Sequence, residues 1–239
     1  LFRSSINLDA LSHNLSVIKS KAQGSKVWSV VKADAYGHGL SCVWPALSHT
    51  DGFALIELDT AIMLREQGWV GPILLLEGFF KPDDVYLLER YSLTTVVHAD
   101  WQFEAIEQAQ LERPINIYLK LNSGMNRLGY RPENYQQAIQ RAKRITNIGS
   151  IVQMSHFANA DTGLNMATQK QIIDSSMVND LPRCLANSAA ILFEPQTHHS
   201  WVRPGIILYG VSPSGVWQDI ADFDLQPVMT FNSEVLAIQ

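Results

Sequence analysis

Lys32 closes an apolar run, "KVWSVVK" (26–32), and is followed by "ADAYGHG", with Tyr36 and two glycines around His38. A lysine at the mouth of a buried strand loses its proton more readily than one in water, because desolvation disfavours the ammonium. A neutral amine so placed is what Schiff-base chemistry on a carbonyl compound requires. Alone, Lys32 also reads as a side chain running out to solvent. A second run, "PINIYLKLN" (114–122), puts Ile115, Ile117, Leu119 and Leu121 on one face and Asn116, Tyr118, Lys120 and Asn122 on the other, since strand residues alternate in direction. Arg127 follows in "SGMNRLG"; its guanidinium is permanently charged and shaped to grip a carboxylate at two points. His156 lies at the end of "GSIVQMSHF" (149–157), and Asn187-Ser188 lies where "RCLAN" (183–187) gives way to "SAAILF". In "WVRPGIILYG", Arg203 precedes the turn Pro204-Gly205-Ile206. Gly205 lets backbone N–H groups approach an anion closely and Ser188 adds a hydroxyl, a combination suited to phosphate. His198-His199 reads as a solvated loop pair, and His13 and His49 as surface residues, so no metal site is expected.

These residues need a scaffold that gathers strand ends. Nine short apolar runs are expected as strands: 4–8, 26–32, 52–56, 72–78, 93–99, 114–122, 149–157, 183–187 and 205–210. Helical patterns separate most of them. Asp9 is expected to cap the first helix, with Leu11, Leu15 and Ile18 on its apolar face, and Gly68 closes the helix after 52–56. Repeated strand–helix units with apolar strands imply a parallel sheet covered by helices. No G-x-G-x-x-G follows an early strand, which argues against a dinucleotide fold. A (β/α)8 barrel is the expected fold, with nine candidate strands for eight places. In such a barrel the polar face of 114–122 looks inward, and the site forms at the C-terminal ends of the strands. The tail "PVMTFNSEVLAIQ" reads as strand without a following helix, the start of a second, β-rich unit.

The 239 residues are 46% hydrophobic and 17% charged, with a net charge of −5, enough for a sizeable core and unlike a disordered chain. An acidic chain without a dense basic cluster is not expected to bind nucleic acid. Cys42 and Cys184 lack metal-type spacing and read as reduced thiols. No apolar run approaches the ~20 residues that span a bilayer, and no signal peptide is visible. No membrane partner and a cytoplasmic location are therefore expected, although the sequence begins at Leu1 without methionine.

A strand-end lysine, a phosphate-suited turn and a carboxylate-suited arginine together point to pyridoxal 5'-phosphate acting on an amino acid. The segments "VVKADAYGHG", "LKLNSGMNRLG", "SHFANAD", "ANSAA" and "WVRPGIILYG" resemble, in order, the motifs of alanine racemase, a fold-type III pyridoxal-phosphate enzyme. The resemblance implies a cofactor-binding (β/α)8 barrel over residues 1–226, with the first strand (1–8) outside it and 227–239 opening a C-terminal β domain. It implies that Lys32 carries the cofactor and acts as one base. Tyr36, Ser188, Gly205 and Ile206 would bind the phosphate, with Asn187 beside them. Arg203 would face the pyridine nitrogen, with His156 near the ring. Arg127 would face the substrate carboxylate, and Lys120 matches a position often carbamylated in the family. Asn122-Ser123 departs from the more usual Asp-Thr. The family's second base, a tyrosine of the C-terminal domain delivered across a homodimer interface, lies outside this sequence, so this chain alone is expected to racemise poorly. The expected reaction is interconversion of L- and D-alanine, supplying D-alanine for peptidoglycan. The alternative is a non-catalytic, single-barrel pyridoxal-phosphate carrier, which the sequence around Lys32 disfavours.

Overall fold

In the computed structural model, which describes residues 2–238, eight parallel strands close a barrel in sequential order. They are β2 (Lys26–Val30), β3 (Gly52–Leu55), β4 (Ile73–Leu75), β5 (Thr94–Val97), β6 (Ile115–Lys120), β7 (Ile148–Met154), β8 (Arg183–Asn187) and β9 (Trp201–Arg203). The ring closes where Lys26 and Val27 of β2 pair with Trp201 and Val202 of β9. A further pair, β1 (Phe2–Ile6) and β10 (Met229–Ser233), forms a separate antiparallel two-stranded sheet. The first strand and the tail therefore lie outside the barrel. The terminal residues Leu1 and Gln239, over which the expected domain limits extend, fall outside the described residues.

Three expectations need correction. The run 205–210 is not a strand: Ile206–Tyr209 forms a 3-10 turn, and β9 is the short segment before it. Its β-branched and aromatic residues suit a strand by propensity, but β9 and β2 already close the ring and leave no edge to pair with. The first helix, Leu8–Lys21, is capped by Asn7, whose Oδ1 accepts the Ala10 amide at 3.0 Å. Asp9 sits in the first turn instead, where its charge still complements the helix dipole. Of the four residues expected on the inward polar face of 114–122, only Tyr118 and Lys120 occupy the barrel interior. Asn116 is exposed and accepts from Ser150, while Asn122 lies beyond the strand and caps the loop that follows.

Strand alternation divides the core into two layers. Val27, Phe53, Ile73, Val97, Ile117, Leu119 and Val202 pack outward against the helices. Trp28, Val30, Ala54, Leu74, Val96, Tyr118, Val152, Met154 and Cys184 fill the interior. Trp28 stacks on Trp201 at 4.3 Å and donates to the Tyr118 hydroxyl at 2.9 Å, so the barrel is packed rather than open. Two residues on from Val30, Ala54, Leu74, Tyr118, Met154 and Trp201, the same alternation brings Lys32, Ile56, Leu76, Lys120, His156 and Arg203 to the C-terminal mouth. Among the described residues no helix is long and apolar enough to cross a membrane.

Candidate active site

All ten residues singled out in the sequence, Lys32, Tyr36, Lys120, Arg127, His156, Asn187, Ser188, Arg203, Gly205 and Ile206, line one cavity of about 350 Å³ at that mouth. This volume is within the range of small-ligand sites. Val30, Ile56, Leu76 and Met154 supply apolar wall, and Glu77 and Asp161 add two carboxylates. Four cationic side chains against two anionic ones favour an anionic occupant.

The segment after Lys32 is not the loose loop its glycines suggest. Ala33, Asp34, Ala35 and Tyr36 all have φ between +51° and +55°, a single left-handed turn built from residues with side chains. Such a turn costs roughly 1–2 kcal/mol per residue and persists only where its surroundings enforce it. Gly37 and Gly39, at φ +81° and +82°, return the chain to the helix Leu40–Val43. Asp34 caps that helix by accepting the Leu40 amide at 2.7 Å. Tyr36 is thereby laid over Gly205: a β-carbon at Gly205 would fall on the Tyr36 hydroxyl. Partial burial raises the Tyr36 pKa, so the phenol stays protonated and can donate.

At the same corner the Gly205 amide donates to Ser188 Oγ at 2.9 Å, leaving the hydroxyl proton of Ser188 to point elsewhere. The Ile206 amide has no backbone acceptor among the described residues. Asn187 is committed to the protein: its Oδ1 accepts the Ala190 amide and its Nδ2 donates to Phe157 O, both at 3.0 Å. It lines the cavity while tying the end of β8 to the segment after β7.

Across the cavity, Arg203 is only 5% exposed. Its Nη1 donates to Cys184 O and Sγ, and its Nη2 to Ser155 O and Leu185 O. Lys120, 7% exposed, is lowered to about 8 by burial first, then by the charges of Arg203 and Arg127. His156 is pushed well below the usual imidazole value by burial and then by Arg203, Lys120, Arg127 and Lys32, so it is neutral at pH 7. Arg127 rides on a loop pinned at its base by Asn122 N–H to Tyr130 O and Tyr130 N–H to Lys120 O, both 2.8 Å. A buried bond between the Ser123 and Ser155 hydroxyls, 2.7 Å, and the Gln169 amide link this loop to the one carrying His156. Among the described residues, neither the Arg127 guanidinium nor the Lys32 and Lys120 amines are spent on a protein partner.

Glu77 was missed in the sequence, although it follows β4 as Lys32 follows β2, and the strand-end rule applies equally to it. Asp161 lay within a quoted motif without being singled out. Tyr209 was hidden inside the run misread as a strand.

Residues 6–213 match the family described as alanine racemase, N-terminal domain. The chain belongs to the alanine racemase family. It is 55% identical over 235 residues to the alanine racemase of Erwinia tasmaniensis and 52% identical over 236 residues to the catabolic alanine racemase of Klebsiella aerogenes. Each match takes in 98% of the chain but 66% of the relative, so the chain spans about two thirds of the length of these alanine racemases. Among solved structures, biosynthetic alanine racemase from Pseudomonas aeruginosa superposes with a TM-score of 0.89 at 35% identity, covering 96% of this chain and 65% of that one. Alanine racemase from Acinetobacter baumannii gives 0.88 at 35% identity, covering 99% and 67%.

Proposed function

We propose that this chain is the cofactor-binding barrel of an enzyme that interconverts L- and D-alanine with pyridoxal 5'-phosphate, supplying D-alanine for peptidoglycan. The observation that carries the reading is the convergence of the Lys32 amine, the Tyr36–Ser188–Gly205–Ile206 corner and the Arg203 guanidinium on one cation-rich cavity. The residues fit the group: a hydroxyl-and-amide corner where a β-carbon would collide suits a phosphate, and a free amine across from it suits an aldehyde. When bound, pyridoxal phosphate supplies an aldehyde that condenses with amines and a conjugated ring that stabilises negative charge at the substrate Cα.

The chain's own residues do the rest. Lys32 would hold the aldehyde, and its amine would take or return the Cα proton on its own face. Arg203 would face the ring nitrogen, and a guanidinium, having donors and no acceptor, would hydrogen-bond it without protonating it. That would limit charge delocalisation and with it side reactions. His156, neutral and beside Arg203, adds no competing positive charge. Arg127 orients the substrate carboxylate. Lys120, with an amine partly neutral near pH 8, would attack carbon dioxide to form a carbamate: one C–N bond forms, one C=O π bond opens onto oxygen as the negative charge, and the nitrogen releases one proton. The resulting anion would pair with Arg127.

Racemisation needs a base on each face of Cα, and the opposite base is assigned here to a tyrosine of a C-terminal domain in a homodimer. Residues 1–226 would then form the barrel unit and 227–239 the entry to that domain, in a cytoplasmic enzyme. The test is to load the chain with pyridoxal phosphate, reduce with borohydride and map the product. A pyridoxyl group on Lys32, lost in Lys32→Ala, is expected. Labelling scattered over surface lysines would overturn the reading.

A further inference from the structure

Four consecutive residues in a left-handed turn need an external brace, and one buried side chain packed against that turn is Tyr209, 2% exposed. Its hydroxyl donates to the Val30 carbonyl at 3.1 Å, at the last residue of β2 and two positions before Lys32. Its ring lies 4.9 Å from that of Tyr36 and 4.5 Å from that of His38, at 30° and 29°. His38 is held in turn by contacts from its Nδ1 to the carbonyls of Ala35 and Tyr36. The Tyr209 backbone is itself anchored: it ends the 3-10 turn that begins at Ile206, and its carbonyl accepts the Val228 amide at 3.2 Å. Next to it, Leu208 O accepts the buried Asn14 amide at 2.9 Å.

We propose that Tyr209 is a positioning residue that clamps the left-handed turn of Ala33–Tyr36 onto the turn of Gly205–Tyr209, so that the Lys32 amine and the Tyr36 hydroxyl reach a single phosphorylated aldehyde. The proposal rests on the pyridoxal-phosphate reading for its ligand, but the clamp itself is a property of the protein without one. The phenol supplies a donor to a strand-end carbonyl, and the ring supplies a wall against which Tyr36 packs. With the wall gone, the Tyr36 hydroxyl leaves Gly205 and phosphate recognition is lost before aldehyde recognition.

Two variants separate the parts: Tyr209→Phe removes the donor and keeps the ring, and Tyr209→Leu removes both. Amide hydrogen exchange without cofactor reads the clamp. Exchange at Ala35, whose amide bonds Val31 O at 3.0 Å, is expected to rise about tenfold in Tyr209→Phe, the effect of one lost buried hydrogen bond. Absorbance titration with pyridoxal phosphate and with pyridoxal reads the positioning. Tyr209→Leu is expected to lower the preference for the phosphorylated form by tenfold or more, and to add little to that loss in a Tyr36→Phe background. A residue that only supported the fold would weaken both probes equally and add its effect to that of Tyr36→Phe. That result, or unchanged exchange at Ala35, overturns the proposal. If Tyr209→Leu does not fold, the Tyr209→Phe and Tyr36→Phe pair decides it. If the wild-type chain binds neither probe at Lys32, the cofactor reading fails, and exchange alone then judges the clamp.

Discussion

Arg203 and Cys184 meet at two points: the guanidinium Nη1 donates to the Cys184 carbonyl oxygen at 2.7 Å and to its sulfur at 3.0 Å. With Nη2 on Ser155 O at 2.7 Å and Leu185 O at 3.1 Å, one side chain ties the end of β9 to the body of β8 and to the residue that follows β7. Its charge is solvated by backbone dipoles rather than by a carboxylate, which leaves it able to face a neutral ring nitrogen. Arg203→Met removes every one of these donors and strands buried carbonyls. The expected loss is about 2–4 kcal/mol, read from urea unfolding. Arg203→Lys should fall between, because an ammonium cannot reproduce the fork. An unchanged urea midpoint in Arg203→Met would contradict this account.

Lys120 is expected to make stability rise with pH on the alkaline side. Its pKa is about 8 in the fold against 10.5 unpaired in water. Below 8 both folded and unfolded states carry the proton, and the fold bears the full cost of burying it. From 8 to 10.5 the unfolded chain holds a proton that the folded one has released, so stability climbs with pH. Lys120→Met should remove that climb and, in buffer free of carbon dioxide, stabilise the protein at pH 7 by at most about 3 kcal/mol. Thermal unfolding from pH 7 to 10.5 tests both points. With 13C-bicarbonate at pH 8, a carbamate carbon resonance absent from the Met variant is the companion expectation.

His156 works in the same direction at lower pH. Its folded pKa lies well below 6.5, so under acid the unfolded chain takes up a proton that the folded chain refuses. Stability therefore falls as pH drops below 6.5. His98 and His199 are also lowered by burial and contribute to the wild-type slope. The His156→Gln comparison isolates one site: the drop in melting temperature between pH 7 and 5.5 should be smaller in the variant. Equal drops would show that His156 titrates freely in the fold.

Gly205→Ala should harm binding more than folding. The new β-carbon lands on the Tyr36 hydroxyl, not on backbone, so the phenol can swing away at modest cost. The expected result is a melting temperature within a few degrees of wild type and pyridoxal phosphate binding weakened at least tenfold. Equal affinity would remove Tyr36 from the phosphate corner.

Much of this was legible in the letters. The end of the apolar run Val27–Val31 marks Lys32 as a strand-end residue, and the alternation in "INIYLK" sets Tyr118 and Lys120 on one face. Once the strands are parallel, every polar residue closing one of them belongs to the same mouth. The failures are equally physical. "GIILYG" has strand propensity, but whether a run pairs depends on a free edge, and β9 had already used it. Asn7 and Asp9 are both good caps, and only the entry angle from β1 chooses between them. The left-handed turn is invisible because Ala-Asp-Ala-Tyr carries no preference for φ above zero; its energy is supplied from Tyr209 and the 206–209 turn.

The repeating pattern, the barrel and the cast of residues at its mouth follow from the letters alone, because periodicity and chemical type are local properties. That Tyr36 lies over Gly205, that Arg203 is satisfied by carbonyls, and that burial lowers Lys120 to about 8 become visible in the folded chain. Those outcomes depend on distance, burial and the fields of charges brought together from far along the chain, and no local segment encodes them.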